Sequence, residues 1–204
     1  MARITKDPEV RRNEFMDIAE RLFVEKGYDH TSPSDIIRNA GVAQGTFYYY
    51  FRSKDEIVES IIERYLDRYE KYVYQVAGDE SIDTARKLLL ILEGLYDLSR
   101  KKMKIRKPAY GQAAPSNLRG YGEHLRTKII PVIRQIVREG VDDGLFTTEF
   151  PDETADMLVV LISHVRDELK KIQDADAGHR KVEAARVMME KLLGAPSGTF
   201  RSQP

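Results

Sequence analysis

Gln44, Gly45, Tyr48 and Tyr49 could form one hydrogen-bonding face of a short helix. Side chains three or four residues apart share a helix face, so these four would lie opposite the aromatic positions Phe47, Tyr50 and Phe51. A glutamine can bond adenine through two hydrogen bonds, and a tyrosine hydroxyl can bond a phosphate oxygen. A glycine removes bulk where a helix approaches a groove. The pattern predicts an inward aromatic face and an outward face suited to DNA.

Further polar and cationic side chains surround this face. Thr46, Arg52 and Lys54 extend its polar reach, and the segment from Arg38 to Lys54 contains three cations and no acid. The whole chain has 33 basic and 33 acidic residues, so its formal net charge is zero. General attraction to a polyanion is therefore weak. Affinity for DNA would depend on a few specific contacts, whose number dimerisation would double.

Two short helices joined by a glycine turn are predicted to position these residues. Ser32 is a good N-cap, Pro33 suits the first helical turn, and Asp35 favours the positive end of the helix dipole. This helix should run to about Ala40, where Gly41 allows a left-handed turn into the next helix. The layout is that of a helix-turn-helix, although such a hairpin can also be a purely structural corner.

A longer set of positions resembles the N-terminal DNA-binding domain of the TetR family of transcriptional regulators. An amphipathic helix precedes the set, and the similarity covers roughly the first quarter to third of the chain. The matching positions are Phe23, Gly27, Tyr28, Thr31, Asp35, Ile36, Gly41, Val42, Gly45, Thr46, Tyr48, Tyr50, Phe51 and Lys54.

The resemblance implies an all-α homodimer with a three-helix DNA-binding domain and a larger helical domain. The larger domain would dimerise and usually hold a small-molecule effector. By the same resemblance, some residues would contact phosphates (Thr31, Thr46, Tyr48, Lys54), and others would lie near base edges (Gln44, Gly45, Tyr49). Ser32 is included in this predicted DNA-binding set.

The chain also departs from the family pattern at three positions. Ala43 stands where a small hydroxyl residue is frequent, Gln44 where a lysine is frequent, and Pro33 where some members place a base-reading arginine. These departures leave the operator sequence open.

The predicted domains are residues 1–54 for DNA binding, 55–80 as a connecting helix, 81–194 for effector binding and dimerisation, and 195–204 as a disordered tail. The connecting helix should begin after Ser53, with Glu56 completing a capping box, and end near Ala77. It could transmit a movement to the DNA-binding helices, or simply link the domains. The short arm with Arg3 and Lys6 could enter a minor groove or fray.

The C-terminal region is predicted to be helical, with an interruption. The next helix should begin near Ser81, and its cationic end, residues 100–107, is either a solvated terminus or a contact for DNA or an anionic ligand. Residues 108–122, rich in proline and glycine, could gate a pocket or form an ordinary loop. The pattern resumes near Glu123, with Pro131 marking a kink or a helix boundary.

The last two helices are predicted at residues 152–174 and 179–193. The apolar run 157–162 in the first indicates an element covered on most sides. By resemblance, the two pair with their mates in a four-helix interface, which would hold two recognition helices roughly 34 Å apart.

Candidate effector contacts are Tyr96, Tyr110, Tyr121 and His164, although helical aromatic residues are more often plain core. His164 with Asp167 and Glu168, and His179 with Glu183, have spacings that could hold a metal ion. Exposed salt bridges explain these pairs better in a chain with 32% charged residues, so no metal site and no cofactor are predicted.

Composition narrows the class of protein further. The chain lacks cysteine and any apolar run of membrane-spanning length, and its first residues lack a signal-peptide core, so a cytoplasmic protein without membrane association is expected. No nucleophile elbow, phosphate loop or dinucleotide fingerprint is present, so we do not expect an enzyme.

The sequence therefore predicts a dimeric regulator, most simply a repressor released from palindromic double-stranded operator DNA by a small-molecule effector. One alternative is a DNA-binding regulator controlled by a protein partner. Another is a helical enzyme or carrier in which the DNA-like motif is incidental.

Overall fold

The computed structural model describes residues 7–105, 123–169, 172 and 174–200, and the regular secondary structure of this part of the chain is helical throughout. It contains no β-strand, as the all-α prediction requires. Its elements are α1 (Pro8–Lys26), α2 (Pro33–Ala40), α3 (Gln44–Tyr50), α4 (Lys54–Gly78), α5 (Thr84–Ile105), a π-helical segment (Leu125–Ile129), α6 (Ile130–Asp142), α7 (Pro151–Leu169) and α8 (Ala175–Leu193). None of the described helices is long and apolar enough to span a membrane.

The chain divides into two compact units, and the division falls inside α4. Among the described residues, the N-terminal unit contains 7–67 and 100–105, and the C-terminal unit contains the remainder. The boundary predicted between residues 54 and 55 is therefore too early. Ile57 and Ile61, in the first turns of α4, are fully buried in the same core as the α1–α3 side chains, so the beginning of α4 is part of the N-terminal unit.

Four phenylalanines form the centre of the N-terminal unit. The ring of Phe15 lies edge-on to those of Phe47 and Phe51, with centroids 5.5 and 6.3 Å away. Phe23 completes the group, and all four side chains are at most 1% exposed. The faces of α1 and α3 that the sequence pattern predicted to be apolar thus meet in one core.

Polar contacts also join α1 to the beginning of α4. The Arg64 guanidinium donates to carboxylate oxygens of Asp17 and Glu20, at 2.7 and 3.0 Å. Arg12 donates to the Ser60 hydroxyl at 2.7 Å. Because these bonds cross from one helix to the other, they hold the start of α4 in a defined register on α1.

The C-terminal unit contains the end of α4 together with most of α5 and the later helices. The Tyr69 hydroxyl of α4 donates to the Ile91 carbonyl oxygen of α5 at 2.6 Å. Arg134 and Arg138 of α6 make ion pairs with Asp156 and Asp152 of α7. Helix α7 in turn packs against both α6 and α8.

Pro131 is the second residue of α6, which directly follows the π-helical segment Leu125–Ile129. A proline has no backbone N–H, so it cannot donate to the carbonyl oxygen one turn earlier. The N–H of the preceding residue, Ile130, donates to the Leu125 carbonyl oxygen, five residues back rather than the four of an α-helix. The predicted irregularity at Pro131 is therefore confirmed, and its form is a change of hydrogen-bond register.

The prediction of a disordered tail is wrong for residues 195–200. Phe200 is fully buried, and its ring lies 6.5 Å from that of Phe146. The Glu190 carboxylate, 7% exposed, accepts hydrogen bonds from the backbone N–H groups of Gly198 and Phe200 at 2.8 and 3.3 Å. One apolar ring and one carboxylate acceptor therefore order this segment, despite its glycine, proline and serine.

Several helix ends differ from the predicted positions. Helix α5 begins at Thr84 rather than near Ser81, and residue 172, which is not helical, shows that α7 ends before the predicted residue 174. Helix α8 begins at Ala175, earlier than predicted, because the Asp174 carboxylate caps it by accepting from the Asp176 N–H. Capping by a single side chain thus overrides a boundary inferred from apolar periodicity.

Candidate nucleic-acid interface

Helix α2 begins with the predicted cap, which is a complete capping box. The Ser32 hydroxyl accepts from the Asp35 N–H at 3.2 Å, and the Asp35 carboxylate accepts from the Ser32 N–H at 2.9 Å. The same carboxylate accepts from the Ser32 hydroxyl at 2.6 Å and pairs with Arg38. Ser32 is exposed, but its hydroxyl and N–H are already bonded within the cap, so a phosphate would have to compete with Asp35 for them.

This cap lowers the pKa of the Asp35 carboxyl from 3.8 to about 2, chiefly through hydrogen bonds from the side chain and backbone of Ser32 and less through Arg38. A carboxyl with a depressed folded pKa stabilises the fold above its unfolded pKa, and this contribution disappears as pH falls from 3.8 towards 2. We expect Ser32→Ala to raise the pKa of Asp35 towards 3.8, measured by an NMR titration of the carboxyl carbon.

The exposed neighbour Ser34 provides the control, because Ser34→Ala leaves the capping box intact. Titration of Asp35 near its depressed pKa in the Ser32→Ala protein would contradict this account of the cap.

The turn between α2 and α3 has the predicted conformation. Gly41 has φ of 64° and ψ of 35°, in the left-handed region that glycine adopts without a Cβ penalty. Helix α3 follows with Ala43 as its N-cap and without a side-chain hydrogen bond at that position. A hydroxyl residue there would supply one, so the departure from the family pattern at Ala43 leaves the start of α3 uncapped.

The two faces of α3 are divided as the spacing predicted. Phe47 is fully buried, whereas Tyr48 and Tyr49 are 46% and 78% exposed. Gln44 and Gly45 are also exposed. The Tyr48 ring is edge-on to that of Phe47, at 5.3 Å between centroids. The outward surface therefore carries an amide, two phenol rings and a glycine, and the buried core beneath it restricts their positions.

Two of the predicted phosphate contacts, Thr31 and Lys54, lie outside this exposed surface of α3. Thr31 is fully buried, and its hydroxyl donates to the Gly27 carbonyl oxygen at 2.9 Å. This placement corrects the expected phosphate contact, because the side chain has no surface for a phosphate and supports the α1–α2 turn instead. The Lys54 ammonium donates to the Tyr28 carbonyl oxygen at 2.8 Å and lies 4.0 Å from the centre of the Tyr28 ring. The Lys54 ammonium has two further N–H groups with which it could bond a phosphate. Thr46, another predicted phosphate contact, is half-buried.

The predicted effector residues are mostly outside the described part of the structure. Tyr110, Tyr121 and the side chain of Tyr96 lie outside it, as do the basic side chains of residues 100–107 and the segment 108–122. His164 is exposed on α7. Among the described residues, no cluster of three or more His, Asp or Glu side chains could hold a metal ion.

The resemblance implied an effector site in the larger domain, but sequence reasoning did not locate the cavity of about 230 Å³ that lies in the C-terminal unit. It lies between α5, α7 and α8, and eight of its ten lining side chains are apolar. Leu92, Val165, Ala185 and Met189 are among them, and each is at most 8% exposed. His164 does not line it. The helical spacing of these residues indicated burial, but only packing of the three helices reveals the space between them.

The fold and the outward face of α3 define the class of protein: a helix-turn-helix transcriptional regulator that binds DNA. The family profile described as "Bacterial regulatory proteins, tetR family" matches residues 15–61, which include α2 and α3. The chain is 31% identical over 147 residues to the HTH-type transcriptional repressor KstR2 of Rhodococcus jostii, covering 71% of this chain and 72% of KstR2. The chain belongs to the TetR family of transcriptional regulators.

Solved structures share the fold over nearly the full chain. A transcriptional regulator of the TetR/AcrR family from Thermobifida fusca has a TM-score of 0.70 at 21% identity, covering 95% of this chain and 100% of that one. A regulator from Saccharomonospora viridis, solved in complex with choline, has a TM-score of 0.71 at 19% identity, covering 89% and 96%. At these identities the likeness concerns the fold alone.

Proposed function

We propose that this protein is a repressor that binds a palindromic operator as a homodimer and is released by a small-molecule effector. The observation that carries the DNA-binding part is the outward face of α3, where Gln44, Gly45, Tyr48 and Tyr49 are exposed over a rigid aromatic core. The relative KstR2 is itself a repressor. A dimer bound over a promoter would repress transcription by blocking polymerase.

An exposed apolar surface supports the dimer. Helices α7 and α8 carry large hydrophobic side chains that are 41% to 60% exposed, namely Met157, Val160, Val187, Met188 and Leu192. Exposed apolar side chains grouped on two neighbouring helices are typical of a protein–protein interface. A symmetric pairing through this surface would bring two DNA-binding units to one operator, so that half-site spacing reflects the dimer geometry.

The apolar cavity favours a small molecule over a protein partner as the effector, because small-molecule sites are concave and mostly apolar. An effector releases DNA only if it binds better to the conformation that does not fit the operator. Helix α4 connects the two units, so we assign it the role of transmitting this change.

Two substitutions separate phosphate contacts from base readout. Tyr48→Phe removes one hydroxyl, so we expect weaker binding to all sequences by a similar factor, about 0.5–1.5 kcal/mol per subunit. Gln44→Ala removes the side chain facing the bases, so we expect a loss of about 1–3 kcal/mol of discrimination at one base position of each half-site. Binding measured against a panel of operator variants distinguishes these results.

Tyr74→Phe is a matched control for the loss of a hydroxyl, because Tyr74 is 50% exposed on the part of α4 in the C-terminal unit. If Tyr48→Phe changed the preferred sequence while leaving affinity intact, the proposed division of roles would be wrong.

The proposed function is tested first by selecting random DNA duplexes with the purified full chain at near-physiological salt and sequencing those retained. A palindrome with two half-sites is the expected result, and it would also indicate candidate target genes. Retention without a common motif would contradict sequence-specific regulation.

A further inference from the structure

We infer that the cavity between α5, α7 and α8 binds a compact, uncharged and predominantly apolar molecule with a skeleton of one or two rings. Only the identification of this ligand as the effector rests on the proposed function. Binding to the cavity can be measured without DNA. The size, charge and position of the cavity each support the inference.

Cavity size limits the ligand to a small skeleton. The volume is about 230 Å³, whereas an apolar cavity of about 150 Å³ takes up benzene. The larger space suits a fused bicyclic molecule such as indole. Leu92 of α5 and Met189 of α8, which both line the cavity, are only 1% and 2% exposed, so a ligand there would contact side chains that are largely shielded from water.

The charges at the cavity do not favour an ionic ligand. Its two polar lining residues, Glu93 and Arg186, have opposite charges. The Arg186 side chain is 20% exposed and already pairs with Glu183 at 2.5 Å. Because Glu93 and Arg186 have opposite charges, neither an anion nor a cation gains a net attraction from the pair. Burial of either ion among apolar side chains also carries a desolvation cost, so the neutral form of a ligand should bind best.

The cavity is distinct from the exposed apolar surface proposed for dimerisation. On α8, Ala185 and Met189 line the cavity and are buried, whereas Val187 and Met188 are exposed. On α7, Val165 lines the cavity, whereas Val160 is 60% exposed. Each helix therefore presents a different face to the cavity and to solvent. A second copy of the chain on the outer surface would leave the cavity available to a small molecule.

Indole is a direct probe, because the chain contains no tryptophan. With excitation at wavelengths where tyrosine absorbs little, the emission of indole reports its transfer from water to an apolar site. The full chain is titrated against indole and two matched analogues, indole-3-carboxylate and the protonated amine of 3-(aminomethyl)indole. We expect saturable, blue-shifted binding of indole and affinities about tenfold or more weaker for both ions.

Adjacent alanines of α8 provide a matched pair of variants. Ala185 lines the cavity and Ala184 is exposed. We expect Ala185→Phe to occupy the cavity and weaken indole binding about tenfold or more, and Ala184→Phe to leave it unchanged. Val182→Phe, at a half-buried lining position, replaces Ala185→Phe if circular dichroism shows that the latter fails to fold.

The cavity inference is overturned if indole does not bind saturably, if either ion binds as well as indole, or if a folded cavity variant binds indole unchanged. The DNA arm is separate and uses the operator selected above. Saturable indole binding without effect on the operator complex would support the site and contradict its role in release. Absence of sequence-specific DNA binding, with indole binding intact, would contradict the proposed function and leave the cavity inference supported.

Discussion

Replacement of Phe15 by alanine is expected to lower the free energy of unfolding of the N-terminal unit by about 3–5 kcal/mol and to abolish DNA binding. Phe15 is fully buried and its ring contacts those of Phe47, Tyr50 and Phe51. Removing it opens a void beneath α3 and releases the helix that carries the proposed DNA contacts. A loss of this size is comparable to the whole stability of a small domain.

Thermal unfolding followed by circular dichroism, together with a DNA-binding titration, measures both effects. Val24→Ala is the control, because Val24 lies on the same helix and is 53% exposed; its effect should stay within about 0.5 kcal/mol. Normal stability of the Phe15→Ala protein would contradict the assignment of Phe15 to the centre of this core. Indole binding serves as an internal reference, because the cavity lies in the C-terminal unit.

Replacement of Phe200 by alanine is expected to destabilise the C-terminal unit by a similar amount, about 3–5 kcal/mol. The ring is fully buried against Phe146, and the backbone N–H of Phe200 donates to Glu190. Loss of the ring would release residues 195–200 and with them the two backbone N–H groups that donate to the Glu190 carboxylate.

Phe150→Ala is the matched control, because Phe150 belongs to the same unit and is 62% exposed. It should change stability by no more than about 0.5 kcal/mol. Denaturant unfolding measures both variants. If Phe200→Ala were as stable as the unmodified chain, burial of Phe200 would be contradicted and the predicted disordered tail would stand.

The contrast between α3 and the tail shows which features are readable from the sequence. The outward and inward faces of α3 follow from side-chain spacing within one helix, and the Ser32 cap follows from residues three apart. Both depend on contacts within a few positions. Phe200 stands in a segment rich in turn residues, and its burial depends on Phe146, far away in the chain. Local composition holds no signal for such a contact.

The boundary of the DNA-binding unit and the position of Thr31 follow the same logic. Helical periodicity predicts that Ile57 and Ile61 are buried, but not that they join the core of α1–α3. Family resemblance implies that Thr31 contacts a DNA phosphate, whereas packing buries the side chain and its hydroxyl donates to the Gly27 carbonyl oxygen.

The sequence by itself determined the all-helical class, the glycine turn between α2 and α3, and which face of α3 is exposed. These features depend on hydrogen bonds and periodicities that operate within a few residues. Tertiary structure alone decided which hydroxyls are already bonded, where the first unit ends inside α4, and that three helices distant in the sequence line an apolar cavity. Burial and enclosed volume are properties of side chains that meet only when remote segments pack together.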